Sequence, residues 1–234
     1  MMIPHAPYGF DRFDAGLKID RHVHGSPYAA IVLDGGYEEA GSAGRRRVAQ
    51  GDVILHDAFD SHCNRFFRKN SCVFNLPLGR APAPCKWARA GDADEIVRAA
   101  RSDRAGAESL LLARLEPLGE PEGDWPDRLC AALRRNQSLS LTLWARRHGL
   151  ARETLSRQFG LIFGTTPASF RAEARARTAL DELMSGDAPL SLVAARTGFA
   201  DQAHMTRAVR ALTGRTPAAW RKSNPFKTDA ARAA

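Results

Sequence analysis

Gly198-Phe-Ala-Asp-Gln-Ala-His-Met-Thr-Arg-Ala-Val-Arg-Ala-Leu-Thr-Gly-Arg-Thr-Pro-Ala-Ala-Trp-Arg221 is the second appearance of a pattern that the chain has already used once. Leu155-Ser-Arg-Gln-Phe159 and Gly164-Thr-Thr-Pro-Ala-Ser-Phe-Arg171 reappear 50 residues later as Met205-Thr-Arg-Ala-Val209 and Gly214-Arg-Thr-Pro-Ala-Ala-Trp-Arg221. Arg157 falls on Arg207, Gly164 on Gly214, Pro167 on Pro217, Phe170 on Trp220 and Arg171 on Arg221. Upstream the offset is 49, and Ala145-Arg-Arg-His-Gly-Leu150 falls on Ala194-Ala-Arg-Thr-Gly-Phe199. Self-similarity at such a period marks two copies of one supersecondary unit.

Each copy follows the same physical logic. A short helix, about 140–148 and about 189–197, carries an alanine where a second helix must cross closely. A glycine then allows a tight turn with positive φ. The second helix bears arginine outside and apolar residues inside. Two helices at a steep angle around such a turn form a helix-turn-helix, whose second helix usually enters the major groove of DNA. Gly-x-x-Pro then stops that helix and starts the next one.

The charge agrees with this reading. Residues 1–139 hold 19 Lys/Arg and 19 Asp/Glu, whereas residues 140–234 hold 15 and 7. The whole net charge of +8 therefore sits on the repeat. A polyanionic partner is the natural complement, because phosphate contacts release condensed counterions.

The Gly198–Arg221 segment resembles the signature segment of the AraC/XylS family of bacterial regulators, and Leu141 to Arg171 resembles that family's first unit. The resemblance implies two units joined by a long helix, about Pro167 to Ser185, that reach successive major-groove segments roughly one DNA turn apart. Carried over by position, it makes Arg152, Glu153, Ser156 and Arg157 groove-facing in the first unit, and Asp201, Gln202, His204 and Arg207 in the second. Arg157 and Arg207 would pair with guanine and Gln202 with adenine; phosphate contact is the other role open to each. One departure is Ala151, which stands where the family usually has a serine capping the recognition helix.

The first 90 residues read differently. Tyr28-Ala-Ala-Ile-Val-Leu33, Asp52-Val-Ile-Leu55 and Cys72-Val-Phe-Asn-Leu76 are short β-type runs between turn signals. Many short strands predict an antiparallel barrel or sandwich. Gly16, His22-Val-His24, Tyr28 and Gly35, followed by Gly51, Asp57, Phe59 and His62, resemble the two cupin motifs, with Tyr28 at the glutamate position and Asp57 and Phe59 where proline and glycine are usual. His22 and His24 share one strand face. With His62 they offer three nitrogen ligands suited to zinc or another divalent metal. A metal-free pocket for a small molecule is equally consistent with these residues. Cys63 should face away from His62, while His56 and the run Arg45-Arg-Arg47 read as surface features, the run as a solvated loop between turn signals.

The expected architecture is thus a two-domain α+β chain. Residues 1–90 form a cupin-like, jelly-roll β-barrel that binds an effector; 91–135 form a helical linker, with Leu110, Leu111 and Leu115 in an apolar stripe, that is either a packing element for the barrel or a dimerisation segment; 136–234 form an all-α domain with two helix-turn-helix units. The expected function is a cytoplasmic, homodimeric transcription factor that binds double-stranded DNA, answers to a small molecule or metal in the His22/His24/Tyr28/His62 pocket, and is not an enzyme. RNA polymerase is a further partner that the resemblance admits. No cofactor is required; a divalent metal such as zinc is the candidate. The rival is a cupin-type metalloenzyme with a DNA-binding tail, disfavoured by the missing glutamate ligand. Cys63, Cys72, Cys85 and Cys130 form no CxxC pair and fit reduced thiols. No run reaches the ~18 apolar residues of a membrane span, and the N-terminus does not read as a signal peptide.

Arg207→Ala is expected to weaken specific DNA binding by ~1–3 kcal/mol and to relax preference at one or two base pairs. Comparing sites selected by the variant and the parent tests this; identical site preference removes Arg207 from the base-reading set.

Overall fold

The computed structural model describes residues 2–3, 7–67, 69–79, 85–120 and 123–223. Eleven strands and nine helices are formed among them. The strands are β1 (Met2–Ile3), β2 (Gly9–Phe13), β3 (Lys18–His24), β4 (Tyr28–Asp34), β5 (Gly36–Gly41), β6 (Gly44–Ala49), β7 (Asp52–His56), β8 (His62–Phe66), β9 (Ser71–Pro77), β10 (Trp87–Ala90) and β11 (Leu115–Pro117). The helices are α1 (Ala93–Ala100), α2 (Arg104–Ala113), α3 (Trp125–Arg135), α4 (Leu141–Arg147), α5 (Arg152–Phe163), α6 (Pro167–Ser185), α7 (Leu190–Arg196), α8 (Gln202–Thr213) and α9 (Pro217–Lys222).

The strands make two sheets, ordered β1-β3-β8-β5-β6 and β11-β10-β7-β4-β9-β2. The expected closed barrel is not formed: among the described residues no ladder joins one sheet to the other. Alternation along the strands explains the packing. Tyr28, Ala30 and Val32 of β4 turn toward Tyr37, Val48 and Phe66 of the first sheet, together with Ile54, Val73 and Trp87. Ala29 and Ile31 turn the other way and meet Ile96, Val97, Ala100, Ala107 and Leu111 of α1 and α2. Both faces of β4 are covered, so its sequence is continuously apolar instead of alternating.

The two covering helices begin on acidic caps. The Asp92 carboxylate accepts from the Glu95 N–H (3.0 Å) and Asp103 from the Gly106 N–H (2.9 Å), satisfying donors that a helix start leaves orphaned. Arg45 and Arg46 correct the expectation of a solvated loop. They lie in β6, where Arg45 forms ion pairs with Asp124 (2.8 Å) and Asp127 (2.7 Å), and Arg46 donates to the Gly119 carbonyl (2.7 Å).

The described residues fall into two compact units, one within Met1–Ala131 and Glu153–Thr166, the other within Ala132–Arg152 and Pro167–Ala234. The first holds the sheets and nearly all of α5; the second is helical. No helix among the described residues is long and apolar enough to cross a membrane.

Leu111 is fully buried between α2 and the second sheet. Leu111→Ala should cost about 2–5 kcal/mol, the range for a buried leucine whose cavity cannot fully collapse. Urea denaturation checks it, and a loss below 1 kcal/mol would contradict this packing.

Candidate functional site

The matched glycines adopt the conformation that the repeat requires. Gly149 and Gly198 have φ of 65° and 74°. The Leu150 N–H then reaches the Ala145 carbonyl and the Phe199 N–H the Ala194 carbonyl, both at 2.9 Å. Ala145 and Ala194 are buried, as a close helix crossing demands.

The second helices then divide their faces. α8 buries Met205, Val209 and Leu212, while Gln202 and Arg207 are exposed and His204 is half-buried with its ring edge-on to Phe199. α5 buries Leu155, Phe159 and Phe163; Arg152, Glu153 and Arg157 are exposed and Ser156 is half-buried. Arg152 donates to the Thr142 hydroxyl at 3.1 Å. Asp201, also exposed, caps α8 by accepting from the His204 N–H at 2.6 Å. Ala151, 50 residues earlier, has no side-chain oxygen with which to cap α5.

The final arginine of each repeat has a different task, which spacing alone did not reveal. Arg171 Nη2 donates to the Leu139 carbonyl (2.9 Å) and Arg221 Nη2 to the Ala188 carbonyl (2.6 Å). Those carbonyls immediately precede Ser140 and Pro189, the N-caps of α4 and α7. The matched arginines thus fix the start of each unit's first helix.

In the β-rich unit, β3 and β8 run antiparallel with His22 opposite His62. His22, His24 and His62 are all buried, and their ligating atoms lie within 4.8 Å of one another. The His22 Nδ1–H donates to the Asp20 carbonyl (2.8 Å) and the His62 Nδ1–H to the Asp60 carbonyl (3.0 Å). That leaves Nε2 of both rings as a lone-pair acceptor, the arrangement by which proteins hold a metal-ligating imidazole. The Tyr28 hydroxyl lies 3.3 Å from His62 Nε2 and can donate to it. Burial, reinforced by Glu39, holds the Tyr28 phenol well above its usual pKa, so it remains a neutral donor. Burial likewise lowers the pKa of His22 and lowers that of His62 well below the ordinary imidazole value. His22 and His62 are therefore uncharged acceptors beside the Tyr28 hydroxyl, and His24 lies in the same cluster.

Behind this cluster is a second one that sequence reading missed. His56 is only 1% exposed, which corrects its expected place on the surface. Its ring stacks on Tyr28 with centroids 4.4 Å apart. Lys86 Nζ donates to His56 Nδ1 (3.0 Å) and to Asp60 (2.6 Å), and lies 3.5 Å from Glu39. His56 Nε2 faces Glu39 at 3.4 Å. Burial alone would raise the Glu39 pKa; His56 and Lys86 outweigh it and hold the carboxyl well below the usual range. Glu39, His56 and His62 also converge within 4.8 Å. Both nitrogens of His56 are already engaged, however, and Lys86 supplies the resident cation. The three-histidine cluster is the better metal tripod of the two. Only β7 alternation, which puts His56 on the face of Ile54, could have flagged it.

Phe59 has φ of 62° on the turn between β7 and β8. Its N–H is tied to the His24 carbonyl at 2.8 Å. Cys63 donates to the Ile162 and Ala40 carbonyls (3.4 and 3.5 Å), and burial pushes its thiol up to about 11.

Residues 144–223 match a protein-family model described as a helix-turn-helix domain. The chain is similar to the virulence regulon transcriptional activator VirF of Yersinia enterocolitica and the thermoregulatory protein LcrF of Yersinia pestis, 30% identical to each over 112 residues. That alignment takes in 47% of this chain and 40% of each relative. Among solved structures, fatty-acid-bound ToxT of Vibrio cholerae aligns over 96% of this chain and 99% of its own, with 8% identity and a TM-score of 0.43.

Lys86→Met would leave Glu39 and Asp60 as buried carboxylates without their cation. Removing one partner of a buried ionic cluster typically costs ~3–5 kcal/mol, so the variant should melt well below the parent. An unchanged melting temperature would mean that Lys86 is not the compensating charge.

Proposed function

We propose that the protein is an AraC/XylS-type, sequence-specific DNA-binding transcription regulator controlled by an effector in its β-rich unit. The observation that carries this reading is the duplicated unit, with Arg157 and Arg207 exposed at equivalent positions of two equivalent helices. Two such helices suit successive major-groove segments, with Gln202 and the two arginines as base-reading candidates. The +8 charge of residues 140–234 supplies the phosphate attraction.

The functional division that we propose is residues 1–90 as sensor, 91–135 as a connecting segment whose α1 and α2 pack on the sensor's second sheet, and 136–234 as reader. The sensor is read as a cupin-like jelly roll. What supports it is the strand order: β3-β8-β5-β6 faces β7-β4-β9-β2, with consecutive strands dealt between two sheets as in paired Greek keys.

His22, His24 and His62 would hold a divalent first-row metal such as zinc, with Tyr28 as a neutral hydrogen-bond donor beside them. The neighbouring cluster brings the Glu39 and Asp60 carboxylates close behind the tripod, with Lys86 between them. A bound ion would supply a cross-link between β3 and β8. A small polar molecule bound by the same imidazoles is the other effector class. A homodimer working in the cytoplasm, with RNA polymerase as a downstream partner, completes the proposal.

Selection from a random duplex library tests the DNA reading. The expected result is an enriched motif with two elements about one helical turn apart; failure to enrich any motif overturns it. Zinc chloride tests the sensor reading. Binding only to the folded state at 100 times Kd adds about 2.7 kcal/mol, and His24→Ala should abolish the resulting rise in melting temperature. A parent protein that zinc does not stabilise rules out the metal.

A further inference from the structure

We propose that α5 is latched to the β-rich unit by the outward faces of the two pocket strands, so that whatever occupies the histidine pocket sets the stability of the first reading helix. This rests on the reading of His22, His24 and His62 as an effector site.

The argument starts from strand alternation. Successive side chains on a strand face opposite ways. His22 and His62 face the pocket, so their neighbours Arg21 and Cys63 face outward. Both neighbours grip the same feature. Arg21 Nη1 donates to the Phe163 carbonyl at 2.9 Å, and the Cys63 thiol reaches the Ile162 carbonyl at 3.4 Å. These are carbonyls of the last turn of α5, acceptors that a helix end leaves without an internal partner. A cationic side chain at a helix C-terminus is favoured by the helix dipole as well.

The approach is close. Gly164, just past α5, has φ of 64°, and a Cβ built there would lie 3.1 Å from the Arg21 Cβ and 3.6 Å from the Cys63 sulfur. Glycine here serves both the helix stop and the contact with β3 and β8.

The matched helix ends differently. Thr213, 50 residues after Phe163, donates to the Val209 carbonyl, and its oxygen accepts from Trp220 Nε1 (2.8 Å) and from the Arg215 N–H (3.2 Å). α8 is closed by its own unit; α5 is closed by the backs of the sensor strands. At its other end α5 also lacks the side-chain cap that Asp201 gives α8.

The link from pocket to latch is short. The β3–β8 register is irregular between Ile19 and His22, which places Arg21 in the irregular stretch. The Asp20 carbonyl there holds the His22 ring. An occupant drawing on His22 and His62 acts on backbone one residue from each grip of the latch. Occupation should therefore stiffen both grips and slow the opening of α5, which is the population shift that a coupled effector needs.

Hydrogen–deuterium exchange on the full chain, followed by peptide mass spectrometry, tests this. Arg21→Ala should speed exchange in 153–166 at least tenfold and leave 202–213 unchanged, and Arg21→Lys should restore part of the protection. Unchanged exchange in 153–166, or an equal rise in both segments, overturns the latch. Zinc chloride, with binding followed by calorimetry, should slow exchange in 153–166 at least threefold in the parent and have no such effect in Arg21→Ala, which still binds zinc. Zinc that binds without slowing 153–166 overturns the coupling. Zinc that does not bind overturns the metal reading of the pocket instead, and the latch is then decided by the arginine variants.

Discussion

His22 lies opposite His62 across the β3–β8 pair, and that register decides what the rest of the β-rich unit can do. Because side chains alternate with a period of two, slipping either strand by one residue would turn its imidazoles outward and bring Arg21 or Cys63 into the interior. β8 also pairs with β5, which sets Glu39 beside Asn64 and Ala40 beside Cys63. One strand register thus fixes the histidine cluster, the carboxylate behind it and the two donors on the outer face. The covering of β4 by α1 and α2 on one side and by the first sheet on the other keeps the scaffold rigid.

The interior that results is unusually polar. His22, His24, Glu39, His56, Asp60 and His62 are all buried. Such a set is tolerable only when charges are compensated and hydrogen bonds made. Lys86 supplies the positive charge, Asn64 adds a donor to Glu39 at 3.3 Å, and the Ser42 hydroxyl bonds to Asp60. His22 and His62 avoid the charging cost, because burial lowers the pKa of both imidazoles. Phe59 adds backbone strain of about 1–3 kcal/mol by holding positive φ, offset by the burial of its ring. Strain and buried polarity meet around the same pocket, which is where a scaffold concentrates them when the site has a task.

Local pattern made part of this legible. The repeat, its glycines and the boundaries of α6 follow from residues close in sequence: a helix, a positive-φ stop and a proline restart. The pairing of His22 and His24 with a later histidine followed from motif spacing. Glu39, His56 and Lys86 were missed because their partnership is made by three elements remote in sequence, and no spacing rule ties them together. The arginine run of β6 misled for a related reason. Turn signals surround it, but Asp124 and Asp127, which hold Arg45, come from α3 some 80 residues away. The two sheets were read as one barrel because alternation tells which face a residue takes, but not whether the last strand finds the first.

Helices α5 and α8 are alike in sequence and unlike in how they are held. Asp201 and Thr213 close α8 at both ends from within its own unit. α5 begins after Ala151 and finishes on donors from β3 and β8. Regulation acting through that difference would fall on one half-site and spare the other. It would change the relative weight of the two halves of an operator, and so alter which sequences the protein prefers as well as how tightly it holds them.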